Sequence, residues 1–126
     1  MILVDNALEK RAQAHRPIRV GLVGAGYIGQ GIAQQIVSHV PGMTLAAISN
    51  RTVAKGEAAY ALGTDREPRR VREQAHLDAA IEEGRPTVTD DPSLLCASGA
   101  IDAIIEATGE IEFGAEVALT ALDHRK

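Results

Sequence analysis

Residues 18–36, IRVGLVGAGYIGQGIAQQI, decide the fold of this chain. The run 18–23 is short and mostly apolar, which predicts a buried β-strand. Gly24, Gly26 and Gly29 follow at once, and an apolar stripe with helical spacing begins among them. Because glycine permits a tight turn and a close approach of backbone segments, this stretch predicts a strand–turn–helix unit.

The rest of the chain alternates between strand-like and helix-like patterns. Short apolar runs predict strands at 18–23, 43–49, 87–89 and 102–107. Helical periodicity and stop signals predict helices at 5–15, 28–40, 53–62, 77–83, from Pro92 onward and at 111–123, with a polar, exposed connection at 63–76. Such alternation is typical of βαβ units. We therefore expect an α/β fold, a Rossmann-type doubly wound parallel sheet of about four strands with a short N-terminal helix.

The domain organisation follows from where these elements stand. Residues 1–17 form the N-terminal helix and its lead-in, and residues 18–126 form the Rossmann domain. A doubly wound domain continues past its fourth strand, whereas the last predicted helix here ends near the final residue. We expect a sheet truncated before a fifth strand, with the fourth at an open edge, and a substrate domain further along a longer protein.

Composition excludes several classes of protein. The 126 residues carry 13 Lys and Arg against 17 Asp and Glu, a net charge of −4, and 45% are hydrophobic. A disordered chain and a nucleic-acid-binding domain are both disfavoured by these values. One cysteine fits a reducing compartment, and neither a secretory leader nor a membrane span is predicted. We expect a cytoplasmic protein with no nucleic-acid or membrane partner.

The glycine-rich turn has the spacing G-x-G-x-x-G, between a predicted strand and a predicted helix. In that context the spacing favours a dinucleotide site, with the pyrophosphate on the N–H groups of the helix N-terminus. The expected contacts are Gly24, Gly26, Tyr27, Ile28 and Gly29. A tight turn without a ligand is the alternative. The G-x-G-x-G pattern of methyltransferases that bind S-adenosylmethionine does not fit, because Ile28 occupies its last position.

The end of the second predicted strand bears on the choice of cofactor. NAD-binding domains place an acidic residue there to accept from the ribose hydroxyl, whereas this chain has Asn50 followed by Arg51 and Thr52. A guanidinium can grip a 2′-phosphate that a carboxylate would repel. We therefore expect the domain to prefer NADP, with NAD as the alternative cofactor. The alternative for Arg51 is a solvated charge at a strand end.

Four stretches together resemble a known family: RVGLVGAGYIGQGIA (19–33), AISNRT (47–52), GRPTVTDDPSLLC (84–96) and DAIIEATGE (102–110). They are similar to the N-terminal nucleotide-binding domain of homoserine dehydrogenase-like oxidoreductases. The closest group is the branch that carries SAF domains and includes 1-deoxy-xylulose-5-phosphate reductoisomerase-like enzymes. In that branch a short helix and a proline precede the first strand, as residues 5–17 do here.

The resemblance implies an NAD(P)-dependent oxidoreductase that acts on a small carbonyl or hydroxy substrate. It implies that Thr108 and Gly109 lie beside the ribose and nicotinamide. The substrate and the catalytic groups would belong mainly to a later domain, so no catalytic residue is assigned here, and the chain alone is expected to be inactive. A homo-oligomer is possible. The alternative function is a non-catalytic nucleotide-sensing module of a regulatory protein.

Other reactive residues predict no further site. The four histidines, at 15, 39, 76 and 124, share no metal-ligand spacing. Cys96 lies in an apolar stretch and is interpreted as a core residue. Glu106, at the end of the last predicted strand, is interpreted as a structural hydrogen-bonding group.

Overall fold

A computed structural model describes residues 2–126, apart from the side chains of Ile2 and His39. The sequence predicts that the four histidines form no metal site, and the side chain of one of them, His39, lies outside the described part of the structure. The elements in chain order are α1 (Ile2–Gln13), β1 (Ile18–Val23), α2 (Tyr27–His39), β2 (Met43–Ser49), α3 (Val53–Ala61), β3 (Arg69–Arg70), α4 (Gln74–Glu82), β4 (Thr87–Thr89), α5 (Pro92–Ala97), β5 (Ala103–Glu106) and α6 (Ile111–Asp123).

The strands form one parallel sheet with the order β3-β4-β2-β1-β5. This confirms the α/β, Rossmann-type fold with a short N-terminal helix. From β1 the chain passes to the neighbouring β2, crosses to β3 at the far edge, and returns to β4 between β3 and β2. It then passes to β5 on the other side of β1. The last strand, β5, pairs with β1 and lies at an edge of the described sheet, as the fourth predicted strand was expected to do.

The sheet has five strands where about four were predicted, because Arg69–Arg70 adds a short strand inside the connection predicted to be exposed. Arg69 donates its backbone N–H to the Pro86 carbonyl at 2.8 Å, and Val71 donates to the Val88 carbonyl at 2.9 Å. Val71 is buried. A strand this short has no apolar period of its own, and its pairing with β4 holds it in place.

Helices cover both faces of the sheet. On one face, α2 and α3 enclose a cluster that includes Leu22, Ile36 and Ile48. On the other, α4, α5 and α6 enclose a second cluster that includes Leu77 and Leu95. Small aliphatic side chains dominate both clusters, as expected for a chain with so few aromatic residues.

Cys96 lies in the second of these clusters, fully buried and unpaired. Burial raises the pKa of its thiol, which keeps the sulfur protonated and unreactive. The interpretation of Cys96 as a core residue is confirmed. No helix among residues 2–126 is both long and apolar enough to cross a membrane.

The register of the sheet brings four strand ends to one edge. Val23, at the end of β1, pairs with Ser49 of β2 and with Glu106 of β5, and Ser49 pairs with Thr89 of β4. Because the strands are parallel, the loops that follow all four open on the same side. Ligands of open α/β sheets bind in the crevice at this carboxyl edge.

Candidate cofactor-binding site

A cleft of about 400 Å³ opens at the carboxyl edge of the sheet, above the ends of β1, β2, β4 and β5. Backbone of the glycine-rich turn forms one wall, and the segments that follow the other three strands form the rest. The lining residues are Val23, Gly24, Ala25, Gly26, Ser49, Asn50, Arg51, Thr52, Lys55, Asp90, Pro92, Ala107, Thr108, Glu110 and Phe113. Several residues predicted from sequence therefore meet in one place.

The three glycines of the turn have three different surroundings. Gly24 has a φ of +106°, and a Cβ there would lie 2.8 Å from the Ala107 carbonyl carbon and oxygen. A Cβ on Gly29 would lie 2.1 Å from the Gly24 carbonyl oxygen. At Gly26 a Cβ would meet nothing within 4 Å. Gly24 thus allows the turn, Gly29 allows α2 to approach it, and Gly26 leaves the space in front of the turn open.

The N-terminus of α2 adds unpaired donors at this wall. Gly26 is its N-cap, without a side-chain cap, and the Gln30 N–H bonds to the Gly26 carbonyl at 2.9 Å. The N–H groups before Gln30 are those that a helix leaves without an intrahelical acceptor, and they lie at the positive end of its dipole. Tyr27 and Ile28 expose their side chains to solvent, 94% and 65%, and do not line the cleft. Only their backbones could contribute to a site.

The end of β2 forms a second, adjoining part of the wall. The side chain of Asn50 is half-buried: its Oδ1 accepts from the Ala25 N–H at 3.0 Å, and its Nδ2 donates to the Thr52 carbonyl at 2.8 Å. Arg51 is 87% exposed, and its Nη2 lies 4.0 Å from Oε2 of Glu110. Such a loose and exposed pair leaves the guanidinium free to turn toward a ligand.

The segment after β5 closes the cleft beside Gly24. The Glu106 carboxylate accepts hydrogen bonds from the N–H of Thr108, at 2.7 Å, and from its hydroxyl. This confirms the structural hydrogen-bonding role interpreted for Glu106. Thr108 lines the cleft, whereas Gly109, with a φ of +73°, is exposed and does not.

Comparison with known proteins identifies the family. The profile of the Gfo/Idh/MocA oxidoreductase family, NAD-binding Rossmann fold, matches residues 18–126. The chain belongs to this family. Residues 18–126 therefore form the NAD-binding Rossmann domain of this oxidoreductase family, which confirms the general class that the sequence predicted. The family that matches is the Gfo/Idh/MocA family, whereas the sequence resemblance pointed to the homoserine dehydrogenase-like group.

Individual relatives of this Gfo/Idh/MocA domain are inositol dehydrogenases. Inositol 2-dehydrogenase 4 of Saccharopolyspora erythraea is 33% identical over 88 residues, which cover 67% of this chain and 26% of that protein. The fold resembles the crystal structure of scyllo-inositol dehydrogenase from Lactobacillus casei with bound NAD(H) and scyllo-inositol. That match has a TM-score of 0.62 and 21% identity, over 87% of this chain and 26% of the other. The apo structure of the same enzyme gives a TM-score of 0.60 and 22% identity over the same shares. The chain thus spans about a quarter of the length of these relatives.

Sequence reasoning missed several residues that line the cleft of this Gfo/Idh/MocA domain. Lys55 lies in the first turn of α3, directly after the predicted site residues Arg51 and Thr52, so its place in the sequence was a usable signal. Asp90 follows β4, next to the end of β2, while Asp91 caps α5 by accepting from the Ser93 N–H at 2.9 Å. Phe113 and Pro92 supply the large apolar surfaces of the cleft, and only the tertiary fold brings them there.

Two cations and two carboxylates thus share the lining: Arg51 and Lys55 follow β2, Asp90 follows the neighbouring β4, and Glu110 precedes α6. The cations favour an anionic ligand close to the end of β2. Among the side chains that the structure describes, no group of three or more His, Cys, Asp or Glu residues could hold a metal ion.

Proposed function

We propose that this domain binds a nicotinamide dinucleotide with the pyrophosphate against the glycine-rich turn. The observation that carries the proposal is the open space at Gly26, which lines the cleft and has nothing within 4 Å of where a Cβ would be. Gly24 and Gly29 shape the turn, and the N–H groups of Tyr27 and Ile28 donate to the phosphate oxygens. A dinucleotide fits this site because its phosphates need backbone donors at a wall free of side chains.

The same site favours NADP over NAD. A 2′-phosphate near the end of β2 would meet the guanidinium of Arg51, with the ammonium of Lys55 on the same wall. Asn50 brings no negative charge to this position, and the hydroxyl of Thr52 adds a donor. A charge-assisted hydrogen bond contributes about 1.5–3 kcal/mol, and the exposure of Arg51 places its contribution near the lower end.

Thr108 and Gly109 are proposed to bound the ribose and nicotinamide end of the site, since they follow β5 on the side of the turn away from β2. When bound, a nicotinamide cofactor accepts or donates a hydride. The part of this chain is to hold and orient the cofactor. None of the described cleft residues is assigned an acid–base or nucleophilic role in catalysis.

We further propose that residues 18–126 serve as the cofactor domain of a longer cytoplasmic oxidoreductase, with residues 1–17 as a lead-in. A homo-oligomer is part of this proposal. Inositol dehydrogenases among the relatives support a small molecule with a hydroxyl or carbonyl group as its substrate. Kinship with the homoserine dehydrogenase-like branch that carries SAF domains stays a proposal. It rests on the helix and proline before β1, which precede the residues that the family profile matches.

Gly26→Val tests the site, with Gly31→Val as its matched control. A Cβ meets nothing within 4 Å at either position, and neither residue has a positive φ, so both variants should fold. Only position 26 faces the cleft. We expect Gly26→Val to lose binding of NADPH and NADH by calorimetry, and Gly31→Val to bind as the parent does. Equal binding by both variants would contradict the proposed site.

Arg51→Ala tests the preference for NADP, with Arg16→Ala as the control, since Arg16 is exposed near the opposite end of β1. Loss of one exposed, charge-assisted contact should weaken NADPH binding about tenfold and leave NADH binding nearly unchanged. Both titrations need one fixed salt concentration, because salt screens phosphate contacts. Equal affinity of the parent chain for the two cofactors would refute the preference.

A further inference from the structure

Both ends of the Asn50 side-chain amide are engaged inside the protein. Its Oδ1 accepts from the Ala25 N–H at 3.0 Å, and its Nδ2 donates to the Thr52 carbonyl at 2.8 Å. Its backbone N–H donates to the Thr89 carbonyl at 3.0 Å. Asn50 therefore links the glycine-rich turn, the end of β4 and the start of α3.

The hydrogen bond to Ala25 fixes the turn directly before Gly26, where the pyrophosphate is proposed to bind. Ala25 is fully buried, so its N–H cannot bond to water. Gly24, the preceding residue, donates its N–H to the Ser49 carbonyl at 2.8 Å. Two successive N–H groups of the turn are thus fixed by two successive residues at the end of β2. The backbone then enters α2 in one direction, with Gly26 and the helix N-terminus at the cleft.

We propose that Asn50 is a positioning residue for the pyrophosphate site and that its amide, engaged inside the protein, makes no direct contact with the 2′ group by which NADP differs from NAD. This inference rests on the proposed function, because the turn that Asn50 holds is the proposed pyrophosphate site. Discrimination at the 2′ position then belongs to Arg51 and Lys55, whose charged groups are exposed at the cleft.

This role predicts a different binding pattern from direct recognition of the ribose. A residue that holds the pyrophosphate site affects both cofactors equally, because both carry the same pyrophosphate. A residue that contacts the ribose changes the ratio of the two affinities, because the cofactors differ only there. The ratio of the NADPH and NADH dissociation constants therefore separates the two roles.

The test compares the parent 126-residue chain with Asn50→Ala, Asn50→Asp and Arg51→Ala by calorimetry at one salt concentration. Asn50→Ala removes the acceptor of a buried N–H, and we expect about tenfold weaker binding of both cofactors with an unchanged ratio. Asn50→Asp retains an acceptor for Ala25, so NADH binding should stay within about threefold of the parent, whereas the added carboxylate should weaken NADPH binding by repelling the 2′-phosphate. Arg51→Ala should change the ratio. An altered ratio in Asn50→Ala, or affinities equal to those of the parent, would overturn the inference.

Amide hydrogen exchange of the cofactor-free chain tests the tether independently of binding. We expect the Ala25 N–H to be protected in the parent and in Asn50→Asp, and to exchange faster in Asn50→Ala while core amides such as that of Ile48 stay protected. Equal protection of Ala25 in all three proteins would show that the tether is absent. A parent chain that binds neither cofactor would refute the proposed function, and the exchange of Ala25 would still decide whether Asn50 holds the turn.

Discussion

Gly29→Ala should push α2 away from the glycine-rich turn, because the space between Gly29 and the backbone of Gly24 is too small for an added Cβ. The added Cβ would lie 2.1 Å from the carbonyl oxygen of Gly24 and 2.8 Å from its carbon. Both are backbone atoms of the turn, so no side chain can rotate out of the way. Relief requires α2 to shift, and Ala33 and Ile36 of that helix are buried in the core.

The magnitude follows from two opposing effects. Forcing an extra methyl group into a packed region costs about 1–3 kcal/mol, and occasionally more where the backbone must move. Alanine regains at most about 1 kcal/mol over glycine in a helix. Since the overlap at Gly29 is with backbone, we expect a net loss of about 2 kcal/mol. Gly31→Ala, two positions later, meets nothing within 4 Å and should gain up to about 1 kcal/mol.

Urea and thermal unfolding of the two variants beside the parent will measure the difference. In a domain of this size 1 kcal/mol shifts Tm by about 3–5 °C. Gly29→Ala should therefore melt several degrees below the parent, and Gly31→Ala at or above it. If Gly29→Ala were as stable as Gly31→Ala, the close approach of α2 to the turn would be wrong, and with it the reason for the third glycine.

Two further predictions concern other contacts. In Gly114→Ala the Cβ would lie 2.7 Å from Oε2 of Glu106, the end of a flexible side chain, so the unfolding free energy should hold or rise by up to about 1 kcal/mol. Displacement of Glu106 from Thr108 should at the same time weaken NADPH binding, and a fall in stability without a fall in affinity would argue against this. The hydrogen bond from Arg70 lowers the pKa of Glu57. A folded-state pKa below the unfolded one stabilises the fold above the ordinary pKa near 4.5, and that contribution disappears as pH falls through the lowered value. Glu57→Gln should therefore lower Tm more at pH 7 than at pH 3, and an equal Tm difference at both pH values would contradict the ion pair.

Local sequence predicted the elements around the cleft well. The strand at 18–23 and the helix at 111–123 match their predicted bounds, because a compact apolar run and a long apolar stripe each identify one element. The glycines of the turn were informative for the same reason, since contacts within the unit itself require Gly24 and Gly29, and Gly26 leaves open the wall where we propose the pyrophosphate.

Features that depend on distant residues could not be predicted in this way. The strand at Arg69–Arg70 exists through its pairing with Thr87 and Val88, and its own residues carry no apolar pattern. The amide of Asn50 bonds to Ala25, which is 25 positions away in the sequence. Only the pairing of β1 with β2 brings these two residues together, so Asn50 could be predicted at the cleft but not as a tether.

Backbone amide chemical shifts of the labelled chain, followed by NMR during titration with NADPH, test the central claim most directly. Binding at the glycine-rich turn predicts the largest shift changes in the amides of residues 26–29, with further changes at 50–52 and 108–109. Amides near Arg16, at the opposite end of β1, should stay unchanged. Shift changes concentrated between α5 and α6, around Cys96 and Thr120, with residues 26–29 unaffected, would contradict the proposed site.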